Sequence, residues 1–167
     1  MDFNRTWQEY VHGFGEVGKA DHWLGLEHVH HVTNNPRSYR LNFALTMVDG
    51  SRYFAKFQDF VLGGAAEGYR FSFSSLLPSG KADDCLSPLR GAPFSTYDND
   101  SDGSPFVNCA ERHGGGWWYK GDDCSPVCSP LGSLNKTTAL WSQLLAEAFW
   151  SMNFGTISLA EVRGYLS

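Results

Sequence analysis

The sequence predicts an α+β domain with short helices, a twisted and mostly antiparallel sheet, and a long loop-rich segment. Apolar and polar residues alternate in 38–47 and again in 52–61, and the turn residues 48–51 between them are typical of a hairpin. From 78 to 130 the pattern dissolves into Gly, Pro, Ser and Asp. A loop segment of that length is usually functional or disordered, and the Cys and Trp residues within it favour a pinned, functional region.

The other predicted elements follow in chain order. Residues 5–11 mix aromatic and polar side chains and are predicted to form a short helix. Residues 26–32 form a second predicted helix, which ends before the turn-forming sequence Asn34-Asn35-Pro36. Residues 68–77 alternate again and are predicted to form the next strand.

Composition narrows the functional classes. At 167 residues the chain is one domain long, and its aromatic content of 15% with 19% charged residues predicts a globular protein. A net charge of −5 without a basic run argues against nucleic acid as a partner. No apolar run reaches the length of a membrane span, so membrane insertion is not expected. Met1 is followed at once by Asp2-Phe3, so no signal peptide is visible.

Alternate carboxylates at Asp98, Asp100 and Asp102, followed by Gly103, predict a site for a hard cation. Short acidic side chains on a tight turn bring their oxygens to one point, which suits calcium. The loop is not an EF-hand, because Cys109 occupies the position of the bidentate Glu. The alternative interpretation is a solvated acidic loop without a metal.

The order of several motifs closely resembles the fibrinogen C-terminal (fibrinogen-related) domain, which occurs in fibrinogen chains, ficolins, tachylectins, angiopoietins, angiopoietin-like proteins and tenascins. The resemblance covers roughly residues 2 to 141. The motif residues are Phe3-Asn4-Arg5, Trp7, Tyr10, Gly13-Phe14-Gly15, Trp23-Leu24-Gly25-Leu26-Glu27, His30, Thr33, Tyr53, Ala55-Lys56-Phe57, Phe94-Ser95-Thr96-Tyr97-Asp98, Asn108-Cys109-Ala110-Glu111 and Gly115-Gly116-Trp117-Trp118-Tyr119.

The resemblance implies a domain organisation and a location. Residues 2–167 are expected to form a partial domain, with a sheet and helix subdomain at 2–77, a loop-rich calcium-binding subdomain at 78–150 and a closing strand within 151–167. The family's first subdomain, which has its own disulfide, and any coiled-coil or collagen-like segment for homo-oligomerisation are expected to be absent here. Members of the family are secreted, so an extracellular location is expected.

The resemblance also implies a metal site and a disulfide. Asp98 and Asp100 are expected to hold Ca²⁺, with Asp102 adding charge or a water-mediated contact. Cys109 is expected to pair with Cys124. From the sequence alone the four cysteines allow three pairings, with Cys85 and Cys128 open. A zinc site is the alternative, although the spacings lack paired Cys-x-x-Cys hooks.

Acetyl-binding members of the family place a small apolar pocket beside the calcium site. By position, His113 stands where some lectins have a wall tyrosine, and Ser125 replaces the usual histidine. The segment between Asn135 and Trp141 is about a dozen residues shorter than the family length, and in lectins it helps to line the pocket. The residues predicted to bind ligand are His113, Trp117, Trp118, Tyr119 and Ser125. The alternative for the Trp pair is that it anchors a loop to the core.

Other motifs support weaker interpretations. His28, His30 and His31 crowd one predicted helix, and we interpret them as structural or solvated, because no Glu has the spacing of a zinc protease helix. Asn4 and Asn135 begin N-glycosylation triplets, which matter only in a secreted glycoprotein.

The resulting functional hypothesis is an extracellular, calcium-binding recognition module. Its partner is expected to be a glycan or an acetylated group, as in lectin-type members. The alternative is a protein ligand of a cell-surface receptor or matrix component, as in angiopoietin-like members, or an inactive partial domain. No nucleophile elbow or phosphate-binding glycine loop is present, so an enzyme is not expected.

Overall fold

A computed structural model describes residues 1–17, 21–47, 52–77, 86–122, 124, 148–154 and 157–162. The helices are α1 (Trp7–His12), α2 (Leu26–Thr33) and α3 (Cys109–His113), with 3₁₀ turns at Ala65–Glu67 and Ser87–Leu89. The strands are β1 (Phe14–Gly15), β2 (His22–Trp23), β3 (Leu41–Met47), β4 (Arg52–Gln58), β5 (Val61–Leu62), β6 (Phe71–Ser72), β7 (Ser75–Leu77), β8 (Ala148–Phe154) and β9 (Ile157–Val162).

One seven-stranded sheet organises the described chain. Its strand order is β1-β2-β9-β8-β3-β4-β7, and every neighbouring pair is antiparallel. Strands β5 and β6 form a separate two-stranded sheet. The predicted hairpin is β3–β4, with Leu41 opposite Phe57 and Thr46 opposite Arg52. The predictions of the α+β class, the hairpin and the two helices are therefore confirmed.

The predicted strand at 68–77 is wrong as a single element. Its first half, β6, pairs with β5, whereas its second half, β7, pairs with β4. The split follows from a bend in the partner: β4 ends at Gln58, and Asp59 has a positive φ of 52°. Because the partner chain changes direction there, a strand pairing with both of its parts must divide as well.

Residues 148–154 and 157–162, the described ranges near the C-terminus, form two strands where the sequence predicts one. The expected closing strand is β9, and β8 precedes it, inserted between β9 and β3 in the sheet. The boundary predicted at 150 between a loop-rich segment and a closing strand therefore cuts through β8. None of the helices in the described ranges has the length and apolar character needed to cross a membrane.

An aromatic core beneath α1 positions the loop-rich segment. The Tyr10 hydroxyl donates to Phe3 O at 2.7 Å and accepts from Gly116 N at 3.0 Å. The indole N–H of Trp23 donates to Tyr10 O at 2.9 Å. A Cβ at Gly116 would lie 2.7 Å from the Tyr10 ring, so only glycine permits this close approach. One buried tyrosine thus joins the N-terminal segment, the sheet and the Gly-rich run at 114–116.

Helix α2 is held against β5 by polar contacts. Thr33 Oγ1 accepts from Leu62 N at 3.0 Å, and His30 Nδ1 lies 2.8 Å from Leu62 O. His28 and His31 are exposed. The interpretation of this histidine group as structural or solvated agrees with these positions.

Candidate functional site

The acidic loop, residues 98–108, begins from a fixed base. Ser95 and Trp117 exchange two backbone hydrogen bonds, with N···O distances of 2.9 and 3.1 Å. Thr96 and Asn99 exchange another pair, both at 3.1 Å, which closes a tight turn. The loop therefore rises from a short bridge next to the Gly-rich run.

Asp98 is directed towards helix α1. Its Oδ1 accepts from the backbone N–H of Trp7 at 2.8 Å and from Thr96 Oγ1 at 2.7 Å. Trp7 is the first residue of α1, and Thr6 caps the same helix by accepting from Glu9 N. A carboxylate beside the first turn of a helix is favourable, because the turn leaves its N–H groups unpaired within the helix. Asp98 thus ties the acidic loop to α1.

Asp102 ties the loop to helix α3. It is buried, and its two carboxylate oxygens accept from Ser104 N and from Cys109 N, both at 2.7 Å. Cys109 begins α3, and Asn108 caps that helix by accepting from Glu111 N at 2.9 Å. The two ends of the loop are therefore fixed by carboxylates that serve different helices.

Asp100 is exposed and is the most weakly hydrogen-bonded of the three carboxylates. One oxygen accepts a long hydrogen bond of 3.3 Å from Asp102 N, and the side chain is exposed. Partial desolvation raises the pKa of Asp100, and the negative charge of the neighbouring Asp102 raises that pKa further. Among the described residues, no ion pair involves the carboxylate of Asp100 or that of Asp102. A bound cation would relieve this repulsion, so the donor set fits a hard, oxygen-preferring metal.

A disulfide closes the region behind the loop. Cys109 and Cys124 are bonded, with their Cα atoms 5.4 Å apart, and this is the pairing that the resemblance implies. Asp102 and the two sulfurs lie within 4.8 Å of one another. Because the two sulfurs are bonded to each other, they offer no thiolate and are not metal ligands. Cys85 and Cys128 lie outside the described residues.

Three predicted ligand-binding rings lie in the core instead of on the surface. Trp117, Trp118 and Tyr119 are exposed by only 6%, 2% and 4%. The indole N–H of Trp118 donates to Tyr69 O at 2.7 Å, and the Tyr119 hydroxyl donates to Gly115 O at 2.7 Å. This burial agrees with the alternative interpretation, in which the Trp pair anchors a loop to the core, and ligand binding by these rings stays a prediction.

The next predicted pocket residue is His113, which is half-buried. Its ring stacks on Tyr119 with centroids 5.5 Å apart, and neither ring nitrogen has a hydrogen-bond partner. Burial lowers the pKa of His113, and the positive charge of Arg112 adds to this effect. The site therefore favours the neutral ring. Ser125 lies outside the described residues.

Two exposed aromatic side chains that are absent from the sequence prediction lie within the acidic loop and directly before it. Phe106 is 82% exposed and Tyr97 is 41% exposed. Asn108 Nδ2 donates to Tyr97 O at 3.0 Å, so both ends of the loop are in contact at this point. The run Pro105-Phe106-Val107 within a polar loop was the sequence signal for such a patch.

A family model provides the deciding comparison. The model described as fibrinogen beta and gamma chains, C-terminal globular domain, matches residues 1–152. The chain belongs to the fibrinogen C-terminal domain family.

Relatives and solved structures agree with this family. Angiopoietin-4 of Bos taurus is 37% identical over 71% of this fibrinogen C-terminal domain chain and 23% of its own length. The fibrinogen-like globe domain of human ANGPTL2 is 33% identical over 72% of this chain and 53% of its own, with a TM-score of 0.66. Lamprey fibrin D-dimer, complexed with the peptide ligand Gly-His-Arg-Pro-amide, is 31% identical over 72% of this chain and 42% of its own, with a TM-score of 0.63. The chain thus spans about half of those solved chains or less.

Proposed function

We propose that this fibrinogen C-terminal domain chain is an extracellular recognition module whose partner is a protein, either a cell-surface receptor or a matrix component. The observation that carries the proposal is the pair of exposed aromatic side chains, Phe106 and Tyr97, beside the acidic loop. Large exposed apolar side chains on an ordered loop are typical anchors of protein interfaces.

The choice of a protein over a glycan follows from where the aromatic rings lie. A sugar platform needs an accessible ring face, and the rings of Trp117, Trp118 and Tyr119 are covered by the core. Among the described residues, the two most exposed aromatic side chains are Phe106 within the acidic loop and Tyr97 directly before it, and Phe54 on β4 is exposed as well. A solved relative with a peptide ligand adds support for a protein partner. Binding of an acetylated group or glycan stays a prediction that depends on His113 and Ser125.

The proposal includes Ca²⁺ as the ion that orders the acidic loop. We assign the ligand role to Asp100 and Asp102, because the two residues are in contact, with Asp102 N donating to an Asp100 oxygen at 3.3 Å, and the charge of Asp102 adds to the desolvation that raises the pKa of Asp100. Asp98 positions the loop through its contact with Trp7 N. This changes the sequence-based assignment, which gave the main role to Asp98 and Asp100. The ion would supply positive charge between neighbouring carboxylates and would stabilise the fold by binding only the folded state.

Calcium should raise the melting temperature, and Asp100→Asn should abolish that rise. At a calcium concentration about one hundred times the Kd, the gain for the wild type is about 2.7 kcal/mol. Asp98→Ala should lower stability by about 1 kcal/mol through loss of the hydrogen bond from Trp7 N, the first N–H of α1, yet retain the calcium-dependent rise. Thermal melting with calcium and with chelator measures both effects. A full calcium response in Asp100→Asn would refute the assignment, and loss of the response in Asp98→Ala would restore Asp98 as a ligand.

Secretion is part of the same proposal. The disulfide between Cys109 and Cys124 is typical of oxidising compartments. A domain that meets receptors or matrix proteins outside the cell requires such a location. The proposal assigns binding and no catalytic step to this chain.

Binding to arrayed receptor ectodomains and matrix proteins tests the proposed function, with a glycan array run in parallel. Phe106→Ser should weaken wild-type binding at least about tenfold, because it removes the central apolar anchor. Val17→Ser is the matched control, since Val17 is also an exposed apolar residue, at 53%. Binding to glycans alone, competed by free N-acetylated sugar, would overturn the choice of a protein partner. Equal losses of binding in Phe106→Ser and Val17→Ser would overturn the role of Phe106 as the anchor.

A further inference from the structure

Three basic side chains converge on one turn that the proposed function does not use. We name Arg70, Arg90 and Lys120, together with the turn at 86–91, the basic turn. All three side chains belong to exposed residues. They come from three separate segments of the chain, before β6, after the Ser87–Leu89 turn and after the Gly-rich run. On a chain with a net charge of −5, such a local group of positive charges is notable.

The contacts of these side chains hold the charges close together. Arg70 Nη1 donates to Gly91 O, and Lys120 Nζ donates to Arg90 O at 3.5 Å. These two acceptors are carbonyls of consecutive residues, so the two cationic groups lie within roughly 10 Å of each other. The guanidinium of Arg90 stands 3.9 Å from the centroid of the Phe73 ring. Two of the three charges are thus oriented by backbone carbonyls and the third by a cation–π contact.

The turn beneath these charges is anchored in the core. Leu89 is completely buried, and Gly91 N donates to Phe71 O at 3.3 Å. Leu89 N and Arg90 N close the turn by donating to Leu86 O and Ser87 O. A charge group on such a support loses little conformational freedom when it binds a ligand.

No ion pair joins the three basic side chains to an acidic group within the described part of the chain. The ion pairs found there involve Met1, Arg5 and His31 as the cationic partners. Glu67 is the nearest acidic residue to Arg70 in sequence, and its carboxylate accepts from Gly64 N at 3.1 Å. Asp122 follows Lys120 by two residues and is exposed.

We propose that the basic turn binds a sulfated glycosaminoglycan chain, a property that goes beyond the proposed recognition of a protein by the acidic loop. Arginine and lysine form charge-assisted hydrogen bonds to anionic oxygens. Two fixed cations within roughly 10 Å of each other, Arg70 and Lys120, with Arg90 on the same turn, suit repeated anionic groups on one polymer. For a secreted domain the abundant polyanions are sulfated glycans. Anionic lipid is concentrated on the cytoplasmic leaflet, so a membrane surface is the weaker match. The net negative charge disfavours diffuse binding to nucleic acid and leaves a local site.

Immobilised heparin is the probe, and the full chain is measured at several salt concentrations in calcium and in chelator. Arg70→Gln with Lys120→Gln should weaken wild-type binding at least about tenfold and reduce the salt dependence, since counterion release scales with the number of ion contacts. Arg37→Gln with Arg40→Gln is the control with the same net charge, at two exposed arginines elsewhere. Arg70→Lys with Lys120→Arg keeps both charges and should retain most of the binding.

The measurement has clear contrary outcomes. Wild-type affinity in the Arg70 and Lys120 double variant, or an equal loss in the Arg37 and Arg40 control, would overturn the site. Equal binding to heparin stripped of sulfate, or tighter binding to a DNA duplex or to phosphatidylserine vesicles, would overturn the ligand class. Thermal melting of each variant shows that it is folded. We expect heparin binding to be the same with calcium and with chelator. A failure of the heparin proposal can therefore be distinguished from a failure of the proposal for the acidic loop.

Discussion

Trp118→Ala should lower the free energy of unfolding by about 3 to 5 kcal/mol, the range for truncating a buried aromatic side chain to alanine. Trp118 is 2% exposed, and its ring contacts Phe94 at 4.9 Å and Phe71 at 5.2 Å between centroids. Its indole N–H also donates to Tyr69 O, so the variant leaves a buried carbonyl without that partner. Urea unfolding of the purified chain measures the loss.

A matching substitution at Phe106 is the control for this result, because Phe106 is exposed whereas Trp118 is buried. Phe106→Ala should change stability by no more than about 0.5 kcal/mol, because an exposed side chain leaves no cavity. Trp118→Phe provides a milder variant if Trp118→Ala fails to fold, and we expect an intermediate loss. A stability change near zero in Trp118→Ala would mean that the ring is not packed in the core and would restore the sequence-based idea of a ligand platform.

Local sequence patterns were sufficient to predict the elements whose pairing partners lie near them in the sequence. The β3–β4 hairpin could be predicted because alternation and a turn are both local signals. Strand β8 carries a similar signal, since Trp150, Met152 and Phe154 alternate with polar residues. Its place between β3 and β9 depends on pairing across about one hundred residues of chain, which no local pattern specifies.

The same limit applies to the three carboxylates. In sequence, Asp98, Asp100 and Asp102 are equivalent members of one alternating motif. Asp98 differs because the first turn of α1, 91 residues earlier in the chain, lies against it. Asp102 differs because it accepts the N–H that begins α3. Spacing therefore identifies an acidic loop, whereas the division of roles within it depends on tertiary contacts.

The sequence pattern also could not predict that the aromatic rings of Trp117 and Trp118 are buried. Trp117 and Trp118 are large and amphipathic, and such residues serve equally well as surface platforms or core anchors. The close approach of Gly116 to Tyr10 brings the run into the core and decides between the two. Phe106, in contrast, lies within the acidic loop, where its backbone N–H donates to Ser104 Oγ at 3.4 Å and its side chain is exposed.

Removing the disulfide should cost about 3 kcal/mol of folding free energy, since the bond closes a loop of 15 residues. In the chain-entropy model the loss comes from greater freedom of the unfolded chain. The variant is Cys109→Ala with Cys124→Ala, which avoids new buried thiols. A total stability of about 5 to 15 kcal/mol is usual for a domain, so this loss should be clear in urea unfolding.

A second measurement on the same variant separates the disulfide from the cation loop. Asp102 accepts from the backbone N–H of Cys109, and that contact does not depend on the sulfur. We therefore expect the double variant to keep a calcium-dependent rise in melting temperature, although from a lower baseline. Cys109→Ala alone should expose one additional thiol, from Cys124, to labelling after unfolding. An unchanged thiol count, or a stability loss below about 1 kcal/mol, would contradict the pairing or its contribution to stability.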